Sequence, residues 1–276
     1  MIPQRNISLL SNRLAREGGR RIPEAVLERD YCLAWFLSIL AQSPLKPILA
    51  FKGGTALKRC YFDNYRFSED LDFTLLQPID LEEIQRHLET LYAEIRDASG
   101  IAFAFDRLDR HGHANSHTFY LRYTGPLPSE NSVKVDITIA EHITRPCEER
   151  VVLRSYPEFA DVPEGRAITI YSLAEIAVEK IVALADAART EPRDLYDLWY
   201  LTIDGSVDLL LVHDGIREKL RFRDKPFVGI QSAIAAKEVR LQALWTARLA
   251  HQMSILPEFE GVFRSVRRKL REAELP

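Results

Sequence analysis

The sequence predicts an α/β (α+β) fold in the first half of the chain, with a small mixed sheet and flanking helices, followed by an α-helical second domain. Several segments of the first half alternate apolar and polar residues with a period of two, which is typical of strands that bury one face. From residue 171 onward the apolar residues instead recur at helical spacing almost throughout. This change of period predicts two domains of different class.

The segment between residues 155 and 167 is rich in proline, glutamate, aspartate and glycine and shows no periodicity. We interpret it as a linker between the two domains. The expected domains are therefore residues 1–155 and residues 168–276, with the functional site in the cleft between them.

The elements of the first domain follow from local patterns. Residues 23–42 are predicted to form a helix, since Pro23 suits a first turn. Residues 47–51 are predicted to form a buried strand that leads into a glycine turn. Asp80 caps a helix that runs to about Asp97, with apolar residues at helical spacing. Three further strands are expected at residues 101–108, 117–123 and 132–140.

The composition is that of a soluble globular protein, with 46% hydrophobic and 28% charged residues in 276. A formal net charge of -3 argues against a surface generally coated by nucleic acid but leaves room for a local basic groove. The three cysteines are far apart, fit neither a zinc site nor a disulfide framework, and favour a reducing compartment. Because the longest apolar run, residues 31–41, is too short to span a bilayer and the N-terminus is polar and arginine-rich, we expect a cytoplasmic protein without a membrane partner.

A glycine turn follows the predicted strand at residues 47–51. Gly53 and Gly54 lack a Cβ, so the backbone can turn sharply and an anion can approach its N–H groups. Thr55 then opens a short helical segment, and its hydroxyl and the helix N-terminus would both face a phosphate. The loop has neither the Walker spacing nor the dinucleotide-binding fingerprint.

Two acids, Asp70 and Asp72, share one face of the strand after this turn, and apolar residues occupy the other face. Two carboxylates held side by side repel each other, and the usual compensation is a divalent cation, most often Mg²⁺, with open positions for substrate phosphates. By itself, an Asp-x-Asp pair or a Gly-Gly pair is more often plain surface or a plain turn. Their order of glycine turn, hydroxyl, short helix and acidic strand favours the catalytic interpretation.

A third acid, Asp136, lies on the polar face of a strand whose odd positions from 133 to 139 are all β-branched and apolar. If this strand lies beside the Asp-x-Asp strand, Asp136 comes next to Asp70 and Asp72. The three acids could then hold two metal ions, or one of them could act as a base on an attacking hydroxyl. A half-exposed strand with a polar outer face explains this segment alone slightly better than a functional role does.

The motifs Gly-Gly-Thr-Ala-Leu-Lys at residues 53–58 and Arg-Phe-Ser-Glu-Asp-Leu-Asp-Phe at residues 66–73 resemble the Gly-Ser and Asp-x-Asp motifs of the nucleotidyltransferase fold. The sequence is most similar to the AbiEii/AbiGii abortive-infection family, the toxins of type IV toxin–antitoxin systems. Thr55 stands where serine is commoner. The resemblance also supports Asp136, since nucleotidyltransferases take their third acid from a following strand. The expected nucleotide-binding residues within these motifs are Gly53, Gly54, Thr55, Lys58 and Ser68.

Two patterns of the second half also resemble this family: Glu-Lys-x-x-Ala-Leu at residues 179–184 and Arg-Asp-x-Tyr-Asp-Leu at residues 193–198. The resemblance implies that Lys180 contacts the phosphates of the nucleotide and that Asp194 is a further acidic site residue. It covers the chain from about Glu28 to Trp199.

The residues themselves leave both roles open. Lys180 falls within an apolar stripe, where a lysine either extends its ammonium to solvent or turns it toward an anion in a cleft. Asp194 at a helix start could be only a cap or a partner of the helix dipole. Asp194 and Asp197 share one helix face, so one could serve chemistry while the other pairs with Arg193.

Two further clusters are considered. His111, His113 and His117 are expected to belong to a hairpin loop rather than a metal site, since no carboxylate or cysteine completes a ligand set. The basic run at residues 263–271 would usually be the solvated face of a helix, but it would suit an RNA backbone if it borders the cleft.

The resulting expectation is nucleotidyl transfer, with a nucleoside triphosphate as substrate and Mg²⁺ or Mn²⁺ as metal. The expected catalytic residues are Asp70, Asp72, Asp136, Lys180 and Asp194, and the first three are the expected metal ligands. The resemblance further implies an acceptor such as the 3′ end of tRNA, growth inhibition and a cognate antitoxin. Two other classes stay open: a nucleotidyltransferase that modifies a protein side chain or small molecule, and a non-catalytic nucleotide-binding protein.

Overall fold

A computed structural model describes residues 1–17, 19–111, 114–203 and 206–276 of the chain. The chain divides into two compact units. The first unit comprises residues 1–141, 147–170 and 252–254, and the second comprises residues 142–146, 171–251 and 255–276.

The first unit is built around one mixed sheet. Its elements in chain order are α1 (Gln4–Arg16), α2 (Glu24–Leu40), β1 (Leu49–Lys52), α3 (Gly53–Ala56), a π-helical turn (Leu57–Tyr61), β2 (Leu71–Leu75), α4 (Leu81–Ser99), β3 (Ala102–Leu108), β4 (Ser116–Thr124), β5 (Asn131–Thr138), β6 (Cys147–Val151) and β7 (Ala167–Tyr171). Within the described residues the strand order is β3-β4-β5-β2-β1-β7-β6. Strand β2 is antiparallel to β1 and parallel to β5.

The apolar face of this sheet forms the core with α2 and α4. Phe51 in β1 and Phe73 in β2 are directly paired across the two strands, and their ring centroids lie 5.1 Å apart. Phe36 in α2 meets Phe103 in β3 edge to face at 5.5 Å. Because slipping a strand by one residue would expose this whole face, the core fixes the register and leaves the acids of β2 and β5 on the opposite face.

Most predicted elements of this unit are confirmed. The helices expected at residues 23–42 and 80–97 are α2 and α4, and the carboxylate of Asp80 accepts the N–H of Glu83 at 2.8 Å as an N-cap. The strands expected at 101–108, 117–123 and 132–140 are β3, β4 and β5, with boundaries that differ by at most two residues.

The interpretation of residues 155–167 as a linker is wrong. Phe159 and Val162 are buried in the core of the first unit, and the ring of Tyr31 packs edge to face on Phe159 at 5.2 Å. The flanking strands β6 and β7 both belong to the sheet. Two apolar anchors are enough to dock a segment whose other residues are typical of loops.

The second unit is helical, as the sequence predicts. Its elements are α5 (Leu173–Ala185), α6 (Pro192–Ile203), a 3₁₀ turn (Leu209–Val212), α7 (His213–Phe222), α8 (Ile230–Ala235), α9 (Glu238–Leu249) and α10 (Phe259–Glu272). Helix α5 packs against α6, α7 and α8. Among the helices of the described residues, none has the length and apolar character that crossing a bilayer requires.

Candidate active site

Three charged residues of the first unit lie in one row across β1, β2 and β5. Lys52 is the register partner of Asp72, and Asp72 is the register partner of Asp136. Neighbouring strands are about 4.8 Å apart, and directly paired residues project to the same face. The side chains of Lys52, Asp72 and Asp136 therefore project from adjacent positions on one face of the sheet.

The carboxylate of Asp136 is held by two hydroxyls of β4. Ser116 donates to its Oδ1 at 2.6 Å, and Thr118 donates to its Oδ2 at 3.0 Å. Both donors are uncharged, and each carboxylate oxygen can accept more than one hydrogen bond. Asp136 is thus oriented without being neutralised by these partners, and it keeps the capacity to accept a proton or a ligand.

The glycine turn lies against the acidic strand. Gly53 has a φ of 79°, which favours glycine, and a Cβ at this position would collide with the carboxylate of Asp72. A Cβ at Gly54 would meet the guanidinium of Arg66 and the hydroxyl of Ser68. The structure therefore brings together four predicted site residues: the two glycines, Ser68 and Asp72.

Thr55 and Asp70 are joined through the backbone. The Thr55 hydroxyl donates to the carbonyl oxygen of Asp70 at 2.5 Å, and the threonine is buried. Asp70 itself lies just before β2. The hydroxyl that was expected to face a phosphate thus connects α3 to the start of the acidic strand.

A second cluster of predicted residues lies in the second unit, where α5 meets α6. The Nζ of Lys180 is 2.8 Å from Oδ1 of Asp194 and 2.7 Å from Oδ2 of Asp197. Arg189 donates from Nε to the other oxygen of Asp194 at 2.6 Å. The ammonium of Lys180 therefore turns toward anions rather than extending to solvent. These anions are the two aspartates of α6.

Electrostatics keeps Asp194 ionised inside this cluster. Burial acts to raise the pKa of Asp194, but the positive charges of Lys180 and Arg189 outweigh it and hold the pKa below its usual value. The cluster is thus a compensated network of buried ion pairs that fixes the position of Lys180.

The comparison with protein families decides the assignment. The chain matches the AbiEii nucleotidyl transferase toxin family of type IV toxin–antitoxin systems over residues 35–271. This chain belongs to the AbiEii family. It is therefore a nucleotidyltransferase toxin of the type IV class. Enzymes of this family generally use a nucleoside triphosphate and a divalent metal ion, and membership implies a corresponding antitoxin. No curated protein matches the chain.

Two solved structures share the fold of this AbiEii-family chain. MenT4, a nucleotidyltransferase toxin from Mycobacterium tuberculosis H37Rv, is 20% identical with a TM-score of 0.62, over 96% of this chain and 89% of that one. A protein from H. pylori described as a nucleotidyltransferase is 18% identical with a TM-score of 0.58, over 91% of this chain and 96% of that one. The predicted nucleotidyltransferase fold is confirmed.

Lys58, expected to bind nucleotide, is placed in the interior instead. It is fully buried, and its ammonium donates to the carbonyl oxygen of Asp63 at 2.5 Å and to the Tyr156 hydroxyl at 2.9 Å. Burial lowers the pKa of Lys58 to about 7. The residue lies in the π-helical turn, which changes side-chain directions relative to a regular helix. We therefore leave Lys58 out of the proposed nucleotide site.

Of the three predicted metal ligands, the structure pairs Asp72 with Asp136 but does not gather all three into one metal-binding group. Across the described ranges, no group of three or more His, Cys, Asp or Glu side chains is arranged to hold a metal ion. Asp72 and Asp136 nevertheless fit such an ion, since Mg²⁺ commonly takes one or two protein carboxylates and completes its coordination with water and substrate phosphates.

Within the described residues, the histidine cluster gives no further metal site. His111 donates its backbone N–H to the carboxylate of Asp109 at 2.9 Å, and His117 lies in β4 opposite Ile137. His113 lies outside the described residues. His111 thus lies on the connection between β3 and β4, as expected of a hairpin loop, whereas His117 belongs to the strand and not to the loop.

Sequence reasoning missed several residues of both clusters. Lys52, Ser116 and Thr118 join the carboxylate row only because of the sheet order, although Lys52 directly precedes the glycine motif and shares the alternation of β1. Lys237 donates to the carbonyl oxygen of Leu184 near the end of α5 and to those of Asp186 and Arg189 in the segment that follows. A single lysine just before α9 gives no local signal of that role.

Proposed function

We propose that this chain transfers a nucleotide from a nucleoside triphosphate to an acceptor hydroxyl at the 3′ end of tRNA, that this inhibits growth, and that a cognate antitoxin counteracts it. One observation carries the proposal. Asp72 and Asp136 stand at paired positions of two strands, beside a glycine turn whose backbone reaches the Asp72 carboxylate.

The proposed reaction uses this arrangement. The acceptor oxygen forms a bond to the α-phosphorus, the bond from that phosphorus to the oxygen bridging to the β-phosphate breaks, and pyrophosphate leaves. Asp136, oriented by Ser116 and Thr118, takes the proton of the acceptor hydroxyl. Catalysis depends mainly on positioning the reactants and on stabilising charge on the phosphates.

Backbone N–H groups and one lysine are the proposed phosphate contacts. In the first unit the backbone N–H groups of the turn at Gly53 and Gly54 would contact phosphate oxygens. In the second unit Lys180, held in place by Asp194 and Asp197, would contact phosphate oxygens, as the resemblance implies. Asp72, with Asp136 at the paired position of β5, would hold a divalent ion, Mg²⁺ or Mn²⁺, which supplies positive charge to the phosphates when bound.

A basic helix supports RNA as the acceptor. Helix α10 buries Phe263 and Leu270, while Arg264, Arg268 and Arg271 are exposed. Guanidinium groups pair well with phosphate oxygens, so this exposed face suits a nucleic-acid backbone.

The experiment incubates the purified protein with total RNA, Mg²⁺ and each α-labelled triphosphate in turn. We expect one triphosphate to label a band of tRNA size. Asp72→Ala should abolish the label, whereas Asp106→Ala, which removes an acid of β3 whose recorded ion pair is with the neighbouring Arg107, should retain it. Circular dichroism checks that both variants are folded.

The rival functions give different outcomes. Label in protein or in a small product, with none in RNA, would replace tRNA by the alternative acceptor. If no triphosphate labels any acceptor and expression still arrests growth in the Asp72→Ala variant, a non-catalytic nucleotide-binding protein becomes the better account.

A further inference from the structure

A second row of polar side chains lies beside Asp136 on the same face of the sheet. Tyr120 of β4 is the register partner of Lys134 in β5 on one side and of Arg107 in β3 on the other. We call these three residues the tyrosine row. It lies two residues along β4 and β5 from the pair of Thr118 and Asp136, so the two rows are about 7 Å apart. Because side chains two residues apart project to the same face, the tyrosine row extends the face that carries Asp136.

The tyrosine row presents two stacked planar groups. The guanidinium of Arg107 lies over the Tyr120 ring, with its central carbon 4.2 Å from the ring centroid. The phenol donates to Oδ2 of Asp109 at 3.3 Å, and this hydrogen bond orients the ring. Arg107 also forms an ion pair with the neighbouring Asp106, yet 58% of its side chain is exposed. Since nucleobases stack on guanidinium planes as well as on aromatic rings, this pair can receive a base.

Further positive side chains flank the stacked pair. The Nζ of Lys134 is 4.0 Å from Oδ2 of Asp109, and 38% of the lysine side chain is exposed. An ion pair this long leaves the ammonium able to contact another anion. Arg122 lies two residues beyond Tyr120 on the same face of β4 and is exposed. Cations around a planar pair suit a ligand that carries both phosphates and bases, which is the chemistry of a single-stranded nucleic acid.

The order of the strands places the tyrosine row on the side from which an acceptor would come. In the sheet, β1, which leads into the Gly53 turn, flanks β2 on one side, whereas β5, β4 and β3 lie on the other. In phosphoryl chemistry the attacking and leaving oxygens are roughly in line, on opposite sides of the phosphorus. With the triphosphate at the glycine turn, the acceptor therefore approaches over β4 and β5, past Asp136.

We propose that the tyrosine row is the subsite for the 3′-terminal nucleotides of an RNA acceptor. A base of the RNA stacks on the guanidinium of Arg107, which Tyr120 supports from behind, and Lys134 contacts a backbone phosphate. The stacked base holds the RNA while its terminal hydroxyl reaches Asp136 in the neighbouring row. The inference deepens the proposed function and rests on it, because it presumes that the acceptor is RNA.

The test measures binding of a fluorescent single-stranded RNA with the sequence of a tRNA 3′ end to the full chain, by anisotropy at several salt concentrations. Arg107→Lys retains the charge but loses the plane, so binding should weaken by at least about 5-fold with the same salt dependence. Lys134→Gln loses one phosphate contact. It should weaken binding and reduce the slope of log K against log salt concentration by about 0.7.

A second readout is labelled transfer to tRNA. Both variants should raise the KM for tRNA and leave the KM for the triphosphate unchanged, because the tyrosine row contacts only the acceptor. Each of the two replaced side chains is more than a third exposed, so folding should be retained, and circular dichroism checks this.

The same unit offers a matched control for each variant. Arg150 of β6 also lies over a tyrosine ring, that of Tyr61 at 5.0 Å, but at the other edge of the sheet. Lys46 is a partly exposed lysine that pairs with Glu149 at 2.7 Å. Arg150→Lys and Lys46→Gln repeat the two chemical changes away from the tyrosine row, and both should bind RNA and transfer nucleotide as the unchanged protein does.

The outcomes separate this inference from the proposed function. If both variants of the tyrosine row bind RNA normally while the unchanged protein labels tRNA, the subsite is overturned and the proposed function stands. A raised KM for the triphosphate instead of tRNA would place the incoming nucleotide on the row and overturn the inference. If the unchanged protein neither binds nor labels RNA, the proposed acceptor is wrong and the inference falls with it. Weaker RNA binding together with a raised KM for tRNA alone supports the inference.

Discussion

The acids of the two units are compensated in opposite ways. In the second unit, Asp194 and Asp197 are almost fully buried, and the ammonium of Lys180 lies within 2.8 Å of both. In the first unit, Asp72 and Asp136 are only half-buried, and the two hydrogen bonds to the Asp136 carboxylate come from uncharged hydroxyls. The helical cluster is internally balanced, whereas the carboxylate of Asp136 in the strand pair is oriented by uncharged donors.

This difference indicates that the strand pair would receive a metal ion and that the helical cluster holds Lys180 in position. A divalent ion gains most where carboxylates repel each other and remain accessible to water and phosphate. A buried, fully paired network offers no such gain, but breaking it is costly because a charge would be left without compensation. We therefore expect variants of the first cluster to lose chemistry with little loss of stability, and variants of the second to lose stability together with the phosphate contact of Lys180.

The largest expected effect is on catalysis by the strand pair. Asp136→Asn retains the shape of the side chain but cannot serve as a base, so the rate of nucleotide transfer should fall by roughly 10²–10⁴-fold. Its free energy of unfolding should change by less than about 1 kcal/mol. Labelled transfer and urea unfolding measure the two quantities. If the variant transfers nucleotide at the normal rate, or is inactive because it is unfolded, the strand pair does not have the catalytic role that distinguishes it from the helical cluster.

The next effect is on the stability of the helical cluster. Lys180→Met leaves Asp194 and Asp197 buried without the lysine charge, so it should lower the free energy of unfolding by about 3–5 kcal/mol. Lys225→Met breaks a half-exposed pair with Asp186 in the same unit and should cost about 0–1 kcal/mol. Equal costs in urea titrations would show that the buried pairs are not what stabilises this cluster.

A smaller effect is expected from the hydroxyls that hold Asp136. Ser116→Ala with Thr118→Val removes both donors but leaves the carboxylate, so transfer should fall by about 10–100-fold. Since orientation is lost and the acid is retained, the loss should be smaller than in Asp136→Asn. A loss as large as that of Asp136→Asn would mean that the hydroxyls take part in chemistry directly.

The last prediction concerns a second buried lysine. Lys58 in the first unit donates to a carbonyl and a phenol oxygen, whereas the partners of Lys180 are carboxylates. Burial lowers the pKa of Lys58 to about 7, against 10.5 for an ordinary lysine. Between these pH values the unfolded chain binds more protons, so the free energy of unfolding should rise with pH.

Lys58→Met removes this contribution, and its free energy of unfolding should rise less than that of the unchanged protein between pH 7 and about 9. Urea titrations at the two pH values provide the comparison. The same pH dependence in both proteins would show that Lys58 stays charged in the folded state.

Elements with clear periodicity could be predicted from the sequence. Helix α4 carries both an N-cap and an apolar stripe, and β5 alternates over its whole length, so both were located closely. Helix α1 and strand β6 were missed because their exposed residues are mostly charged or polar. Buried Phe159 was missed because the surrounding residues are typical of loops.

The candidate site was only partly predictable for a related reason. The acids of β2 and β5 belong to strong local patterns, and their adjacency needed only one correct strand pairing. The hydrogen bond from Lys52 in β1 to Thr138 in β5 depends on the order of three strands, and local sequence does not determine that order. The burial of Lys58 depends on a π-helical turn that has no simple sequence signal.

The most direct test of the central claim is a crystal structure of the chain with Mn²⁺ and a triphosphate analogue that cannot be cleaved between the α- and β-phosphates. We predict an anomalous manganese peak within bonding distance of the Asp72 carboxylate and of a phosphate oxygen of the analogue. A peak elsewhere with the Asp72 and Asp136 face empty, or an analogue bound away from the Gly53 turn, would contradict the proposed site.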